Sequence, residues 1–321
     1  MTAEPSAGGA GGAVVGFSTA TIGRSGAHLI KTAHAAGMTF GGSAVLLPGV
    51  RDSLSVRRGT KQAASNPQTG HEMAILGIDI GGSGIKGAPV DTVRGELLEE
   101  RHRVPTPQPS DVTGVIEAAA EVAGKFTGYD RVGVTFPGVV VDGVTRTAAN
   151  VDKSWLDAPA ADLFSERLGK PVTVLNDADA AGVAEVAFGA GKGQPGLIMM
   201  LTFGTGIGSA LFVDGTLIPN TEFGHLELDG KDAELRASDR IREQEDMSWE
   251  KWAGRVREYL RHVEMLLSPR LFIIGGGVSR KSERFLPLID IRTPMVPATL
   301  LNNAGIIGAA VTAERGIAPK S

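Results

Sequence analysis

The stretch Asp79-Ile80-Gly81-Gly82-Ser83-Gly84-Ile85-Lys86 returns in altered form as Leu201-Thr202-Phe203-Gly204-Thr205-Gly206-Ile207-Gly208. Each string follows an apolar run, Ala74 to Ile80 in the first case and Leu197 to Leu201 in the second. Each turns sharply on glycines, where backbone N–H groups can face an anion. The first is not a Walker-type loop, because the spacing G-x-x-x-x-G-K-[ST] is absent, and it also lacks the Rossmann spacing. Taken alone, it reads equally well as a β-hairpin with glycines for turn geometry. A turn-only reading must be invoked twice, however, in matching strand–loop–strand settings, with Asn176-Asp177 lying between them. Two lobes closing on a phosphate chain beside an acceptor site account for both.

Working outward from the first string, Ala74–Ile80 reads as a buried strand, Gly84–Val90 as its hairpin partner and Leu97–Val104 as a third strand. Pro105, Pro107 and Pro109 break the chain. Val112, Val115, Ile116, Ala119, Val122, Ala123 and Phe126 then recur at helical spacing, with Ser110 or Asp111 as N-cap. Arg131–Phe136 is the next strand. A short helix over Leu163–Leu168 is stopped by Gly169 and Pro171, and the strand Val172–Leu175 runs into Asn176-Asp177 and a helix over Ala178–Phe188. The second half repeats the plan. Leu197–Leu201 and Ser209–Val213 flank the second loop, and Trp249, Trp252, Val256, Leu260, Val263 and Leu267 mark an amphipathic helix. The strand Leu271–Ile274 leads into Gly275-Gly276-Gly277, and Ala304–Ala313 is a small-residue helix suited to close packing. A strand hairpin followed by alternating helices and strands, appearing twice, implies a duplicated α/β fold with a cleft between its lobes. The expected division is 73–176 and 177–321, with the final helix free to pack back on the first lobe.

Residues 1–72 differ from the rest. They are rich in Gly, Ala and Ser and hold three acids (Glu4, Asp52, Glu72) against six bases. They lack the basic n-region of a secretory signal, while an Arg-bearing, acid-poor composition leaves a targeting presequence open. The reading taken is a disordered tail or sequence upstream of the native start, with Met73 as that start. The whole chain of 321 residues carries 32 Lys plus Arg against 36 Asp plus Glu, a formal charge of −4 that argues against a general nucleic-acid binder. With no cysteine, disulfides, thiolate zinc sites and cysteine nucleophiles are excluded, and a reducing, cytoplasmic home fits. No uninterrupted apolar run is long enough to span a bilayer, so no membrane partner is expected.

The chemistry sits at three places. In the first loop, the glycines let amides approach phosphate oxygens. Asp79 ends the strand where a carboxylate can hold a Mg²⁺-bound water, and Lys86 adds positive charge. At the end of a strand, Asp177 is a carboxylate suited to take the proton from an attacking hydroxyl, the part Asp plays in kinases. Helix capping is the competing duty, and Asp179 is available for it instead. Glu222-Phe223-Gly224-His225, with Glu227 and Glu234 nearby, forms a short polar stretch of the kind a sugar's ring of hydroxyls needs. Metal binding is the rival there, but a single His and no Cys do not make a closed structural zinc site.

The strings GIDIGGSGIKG, RTAANVDKSW, LNDADAAGVAE, residues 200–210, GTLIPNTEFGHLE, GGGVSRK and the run from Arg292 to Ala310 together resemble the ROK family of sugar kinases. Within it they resemble most the actinobacterial polyphosphate glucokinases, and they cover nearly all of the chain after Met73. The resemblance implies an actin-like/hexokinase-like (ribonuclease H-like) ATPase fold, with two lobes around a cleft. The implied reaction joins glucose and a phosphoryl donor, polyphosphate or ATP, to give glucose 6-phosphate with Mg²⁺. It makes Asp177 the general base and Asn150, Asn176, Glu222, His225 and Glu234 sugar ligands. It assigns donor phosphates to Asp79, Gly81, Gly82, Ser83, Gly84, Lys86, Thr202, Gly204, Thr205 and Gly206, with Gly275, Gly276, Gly277, Arg280 and Lys281 bordering the nucleotide or the polyphosphate tail. A basic track for polyphosphate draws its candidates from Lys86, Lys192, Arg280, Lys281 and Arg284. Most family members carry a Cys-rich zinc loop after the Gly-His pair. Leu226–Ala233 here has no Cys, so His225 is freed from zinc, a departure that the polyphosphate glucokinases share. A homodimer is the implied assembly. An ATP-dependent kinase for another hexose and a sugar-responsive transcriptional regulator of the same family stay as alternatives. Against the regulator, residues 1–72 are too rich in Gly and Ala for a winged helix-turn-helix.

Overall fold

A computed structural model describes residues 74–148 and 151–316. The expectations placed on residues 1–72, on Met73 and on Asn150 lie outside the described residues. In chain order the elements are β1 (Ala74–Gly81), β2 (Gly84–Asp91), β3 (Glu96–Leu97), β4 (His102–Val104), α1 (Val112–Ala123), β5 (Tyr129–Phe136), β6 (Val140–Val141), β7 (Val144–Thr145), α2 (Ala160–Leu168), β8 (Val172–Asn176) and α3 (Asp177–Ala187). They continue with β9 (Leu197–Phe203), β10 (Ile207–Val213), β11 (Thr216–Ile218), β12 (Glu227–Leu228), β13 (Lys231–Asp232), α4 (Glu234–Ala237), α5 (Asp239–Gln244), α6 (Trp249–Leu267), β14 (Leu271–Gly275), β15 (Met295–Pro297) and α7 (Ala304–Arg315).

The first sheet runs β3-β2-β1-β5-β8 and the second β11-β10-β9-β14-β15. In both, the first strand of the unit makes an antiparallel hairpin with the next and pairs in parallel with a later strand on its other side. Two sheets with one wiring are the duplication that the paired glycine loops announced. The expected third strand over Leu97–Val104 is corrected to two pieces. Leu97 pairs with Val90 and Val104 with Ile85, at opposite ends of β2; Leu98 N still donates to Pro89 O at 2.8 Å, and the intervening Glu99-Glu100-Arg101 leaves the ladder. That segment has no alternation of apolar and polar residues to hold it flat on the sheet.

Packing follows from strand periodicity. On β9, Ile198 and Met200 face α3, while Met199, Leu201 and Phe203 face α6 with Trp252, Val256, Tyr259 and Leu260. A strand buried on both faces reads as an unbroken apolar run, which is what Leu197–Leu201 is. The first sheet is covered on one face by α1 and α2 and on the other by α7, whose Ile306, Ile307, Ala310 and Val311 join its core. Helices α3 and α7 therefore lie between the two sheets. They touch backbone to backbone. A Cβ on Gly308 would stand 1.7 Å from the carbonyl oxygen of Ala180, and Cβ atoms on Gly77 and Gly133 would stand 2.0 and 1.9 Å from carbonyl oxygens of α7. Small residues are required there because no side chain fits between helix and sheet.

Local signals set the element ends. Asp111, not Ser110, caps α1, its Oδ1 accepting from Gly114 N at 2.7 Å. The freed Ser110 carbonyl takes the indole N–H of Trp155, which is buried against Phe136 and Phe164. Helix α2 starts at Ala160, three residues before the expected start, and stops at Gly169 in the left-handed conformation.

Candidate active site

The floor of the site is laid by register. Asp79 and Lys86 are directly opposed across the β1–β2 hairpin, and Lys86 Nζ lies 3.0 Å from Asp79 Oδ2. Thr135 on β5 donates from Oγ1 to Asp79 Oδ1 at 2.9 Å. Asp79 shares a strand face with Gly77, beneath α7, so a Cβ on Gly305 in that helix's first turn would come within 2.6 Å of the carboxylate. The positive end of α7 is thus set on an anion. Lys86 is half of an ion pair with Asp79 here.

Strand β8 delivers Asn176 and Asp177. Asn176 is buried, and its Oδ1 accepts from Ala178 N at 2.8 Å and Asp179 N at 3.0 Å, capping α3, while its Nδ2 donates to Gly138 O. The capping duty assigned to Asp179 is therefore corrected: the residue that precedes the helix has the extended backbone a cap needs, and Asp179 lies inside the first turn. Asp177 is exposed to solvent at the start of α3. Loss of hydration pushes its carboxyl up to about 7, and the charges of Asp79 and then Glu222 push the same way, against the N–H of Ala178. Solvent at the open face moderates that rise without reversing it. Asp179 is buried, its Oδ2 accepting from Asn220 N at 2.7 Å, and burial lifts its carboxyl to about 7 as well. Its Oδ1 has no protein partner among the described residues.

The polar stretch after β11 supplies the other wall. Gly224 is pressed so closely on Ile207 that a Cβ would stand 2.1 Å from its carbonyl oxygen, which brings Glu222 to the second glycine loop. Glu222 has its carboxyl raised by burial, against the lowering pull of His225. His225 is exposed and its Nδ1 lies 2.9 Å from Asp232 Oδ2, a contact that raises its pKa. Glu234 turns its Oε2 to the N–H of Ile207 at 3.2 Å, under Gly206. Glu234 also acts electrostatically on both Glu222 and His225. Asp79 and Glu222 act electrostatically on Asp177, and Glu222, His225 and Glu234 on one another, so the five form a chain of interacting charges.

In the first loop, Gly82 and Ser83 are exposed at the tip, between Gly81 and Gly84. Two partners there carried no sequence signal. Arg103 on β4 lies across Gly84 and donates to the carbonyl of Ser83, and Thr106 donates to that of Gly81. Around Gly204-Thr205-Gly206, Arg240 donates from Nε to Thr205 O at 2.8 Å and from its backbone to Gly204 O, while Thr202 sits opposite Gly208. Gly275 ends β14. Gly276, at φ +81°, approaches the backbone of Phe203 so closely that a Cβ would lie 2.3 Å from its carbonyl, and Gly277 opens a 3-10 helix that packs on β9. Arg280 and Lys281 on that helix are exposed, with Lys281 5.9 Å above the ring of Trp249. Nothing among the described contacts joins these two to the carboxylate cluster. Two glycine-lined turns face a group of carboxylates, among which Asp177 and Glu222 have raised proton affinity. That arrangement suits transfer of an anionic group to a hydroxyl.

The sequence profile of the ROK family matches residues 75–248. The chain is 54% identical over 237 residues to a polyphosphate glucokinase of Mycobacterium tuberculosis, covering 74% of this chain and 89% of that protein. It also resembles the crystal structure of an inorganic polyphosphate/ATP-glucomannokinase from an Arthrobacter strain, with 51% identity, a TM-score of 0.73, and coverage of 75% of this chain and 98% of that one. A ROK family glucokinase of Streptomyces griseus shares the fold at 24% identity and a TM-score of 0.66. With twin sheets of one topology, the glycine turns and this similarity in hand, the chain belongs to the ROK family.

Proposed function

We propose that the chain transfers a phosphoryl group from inorganic polyphosphate, with ATP as a second donor, to the 6-hydroxyl of glucose. The observation that carries this is Asp177, a carboxylate at the start of α3 whose proton affinity is raised first by loss of hydration, then by the charge of Asp79 beside one glycine turn and less by that of Glu222. The identity to polyphosphate glucokinases supports the choice of acceptor and donor. In this reading Asp177 accepts the hydroxyl proton as the sugar oxygen bonds to the terminal phosphorus. The bond from that phosphorus to the rest of the donor breaks, and the remainder leaves as an anion shortened by one unit. Glu222, His225 and Glu234 hold the sugar hydroxyls. Backbone amides of both glycine turns, with Arg103 and Arg240 shaping them, face the phosphates. The donor set at the floor fits Mg²⁺, because that ion keeps most of its waters and needs one or two carboxylates plus substrate phosphates. Asp79 would hold it through water, since its Oδ2 is taken by Lys86. When bound, the ion neutralises phosphate charge. A homodimer and a cytoplasmic location complete the reading, the latter in keeping with a cysteine-free sequence.

Two measurements test it. A coupled assay of glucose 6-phosphate with each donor gives the larger kcat/KM for polyphosphate; a large preference for ATP overturns the donor choice. In a pH series, kcat/KM rises through about pH 7 and levels off above it. Asp177 must be deprotonated to act, and its carboxyl holds its proton up to about that pH. The limb belongs to the coupled carboxylates as a set. A flat profile between about pH 5 and 8 removes a base of this kind. Mannose is the acceptor to run beside glucose, since the Arthrobacter protein is by name a glucomannokinase.

A further inference from the structure

We propose that Asn220 and Asp179 are positioning residues that fix Glu222 between the β6–β7 hairpin and α3 on one side and β10 on the other, and that they govern acceptor affinity rather than turnover. The proposal rests on Glu222 as a sugar ligand. Asn220 reads the backbone of Val140 on β6 with both ends of its amide: Oδ1 accepts from Val140 N at 2.9 Å and Nδ2 donates to Val140 O at 2.8 Å. This copies a strand ladder with a side chain. The backbone N–H of Asn220 goes elsewhere, to Asp179 Oδ2 on α3 at 2.7 Å. Serving both directions at once puts Asn220 at φ +59°, a left-handed conformation that Asn tolerates better than most residues.

From the next residue on, the chain is held by β10 of the second sheet. Ser209 on β10 donates from Oγ to Thr221 O and accepts from Phe223 N at 3.0 Å. Glu222 therefore sits between two fastened neighbours. Both of those neighbours are held by Ser209 on the strand that leaves the second glycine loop, and two residues upstream of Glu222, Asn220 ties the same segment to Val140 and to Asp179 on α3, the helix that Asp177 begins. Asp179 performs its part from a buried position in the first turn of α3. A carboxylate meant to meet one hydroxyl of a small sugar has to be placed within fractions of an ångström, and this strap does that without touching the reacting atoms.

The test is steady-state kinetics on Asn220→Gly, which removes the amide and keeps the backbone conformation, with Asp179→Ala as a second variant and Asp179→Asn as the conservative one. In the first two, KM for glucose rises about 10-fold, the loss expected from one or two positioning hydrogen bonds. Meanwhile kcat and KM for the donor stay near wild type. Asp179→Asn, whose carbonyl can still accept from Asn220 N, restores glucose KM. In a Glu222→Ala background, Asn220→Gly adds nothing further to glucose KM. If Asn220→Gly and Asp179→Ala lower kcat or raise donor KM as much as glucose KM, or if Asn220→Gly adds its full effect without Glu222, the strap is overturned while the role of Glu222 survives. If Glu222→Ala alone leaves glucose KM unchanged, both readings fall.

Discussion

Asp177→Asn lowers kcat by about 100- to 10,000-fold, the range that a positioned general base contributes, while the dissociation constant for glucose stays near the wild-type value. The amide is nearly the size of the carboxylate and can still accept from the N–H of Ala178, as Asp177 Oδ1 does at 2.8 Å, so the start of α3 is kept. What is lost is a place for the hydroxyl proton. Isothermal titration with glucose, beside turnover measured with polyphosphate, separates the two effects. Equal turnover in the variant removes Asp177 from the chemistry, and lost glucose binding with intact turnover at saturation assigns it to recognition instead. The variant also gains stability above about pH 7. The folded protein raises this carboxyl's affinity for a proton relative to the unfolded chain, so ionising it costs folding free energy as pH rises through that value. The difference from wild type shrinks as pH falls and vanishes below about pH 4, where both states of the chain are protonated at this position.

The second large effect is structural and has a sign that simple propensity gets wrong. In an exposed helix interior, Gly→Ala stabilises by about 1 kcal/mol. Gly308→Ala in α7 instead destabilises by about 3 kcal/mol or more, since the new methyl would stand 1.7 Å from the carbonyl oxygen of Ala180. That obstacle is main chain in α3 and cannot swing aside as a side chain would. The methyl forces α7 away from α3, and with it the contacts that close Gly77 and Gly133 beneath the same helix. A fall of roughly 6–12 °C in Tm is expected for a folded unit of this size. A rise in the urea midpoint would show that the two helices have room to spare.

How much of this was legible in the sequence depended on distance along the chain. The β1–β2 hairpin, the run Leu197–Leu201 and the amphipathic Trp249–Leu267 announce themselves because their signals are local: glycines at a turn, apolar residues on both faces of a strand, and one apolar stripe on a helix. Asp177 stands out in the sequence because it falls where a strand passes into a helix, and the structure makes it the first residue of α3. Its capping competitor was misassigned because Asn176 and Asp179 are equally plausible caps until the backbone of each is seen. Arg103 and Arg240 went unnoticed. Each meets its glycine turn from a distant segment, Arg240 lying 35 residues beyond Thr205. The link between Asn220 and Val140 spans 80 residues. The ion pair of Asp79 with Lys86 is set by cross-strand register, which the hydrophobic pattern fixes only once both strands are aligned.

The placement of α7 has a consequence for how the protein is made. The core of the first sheet, begun at Ala74, is completed by a helix that starts at Ala304, after the whole second sheet has been translated. While the ribosome is still extending the second sheet, the first has one apolar face uncovered, the face that Gly77 and Gly133 prepare for α7. The amino-terminal half therefore cannot settle as an independent nascent unit in the usual order of emergence. Release of the last helix is the event that seals it, and nascent chains stalled before residue 304 are expected to need chaperone cover.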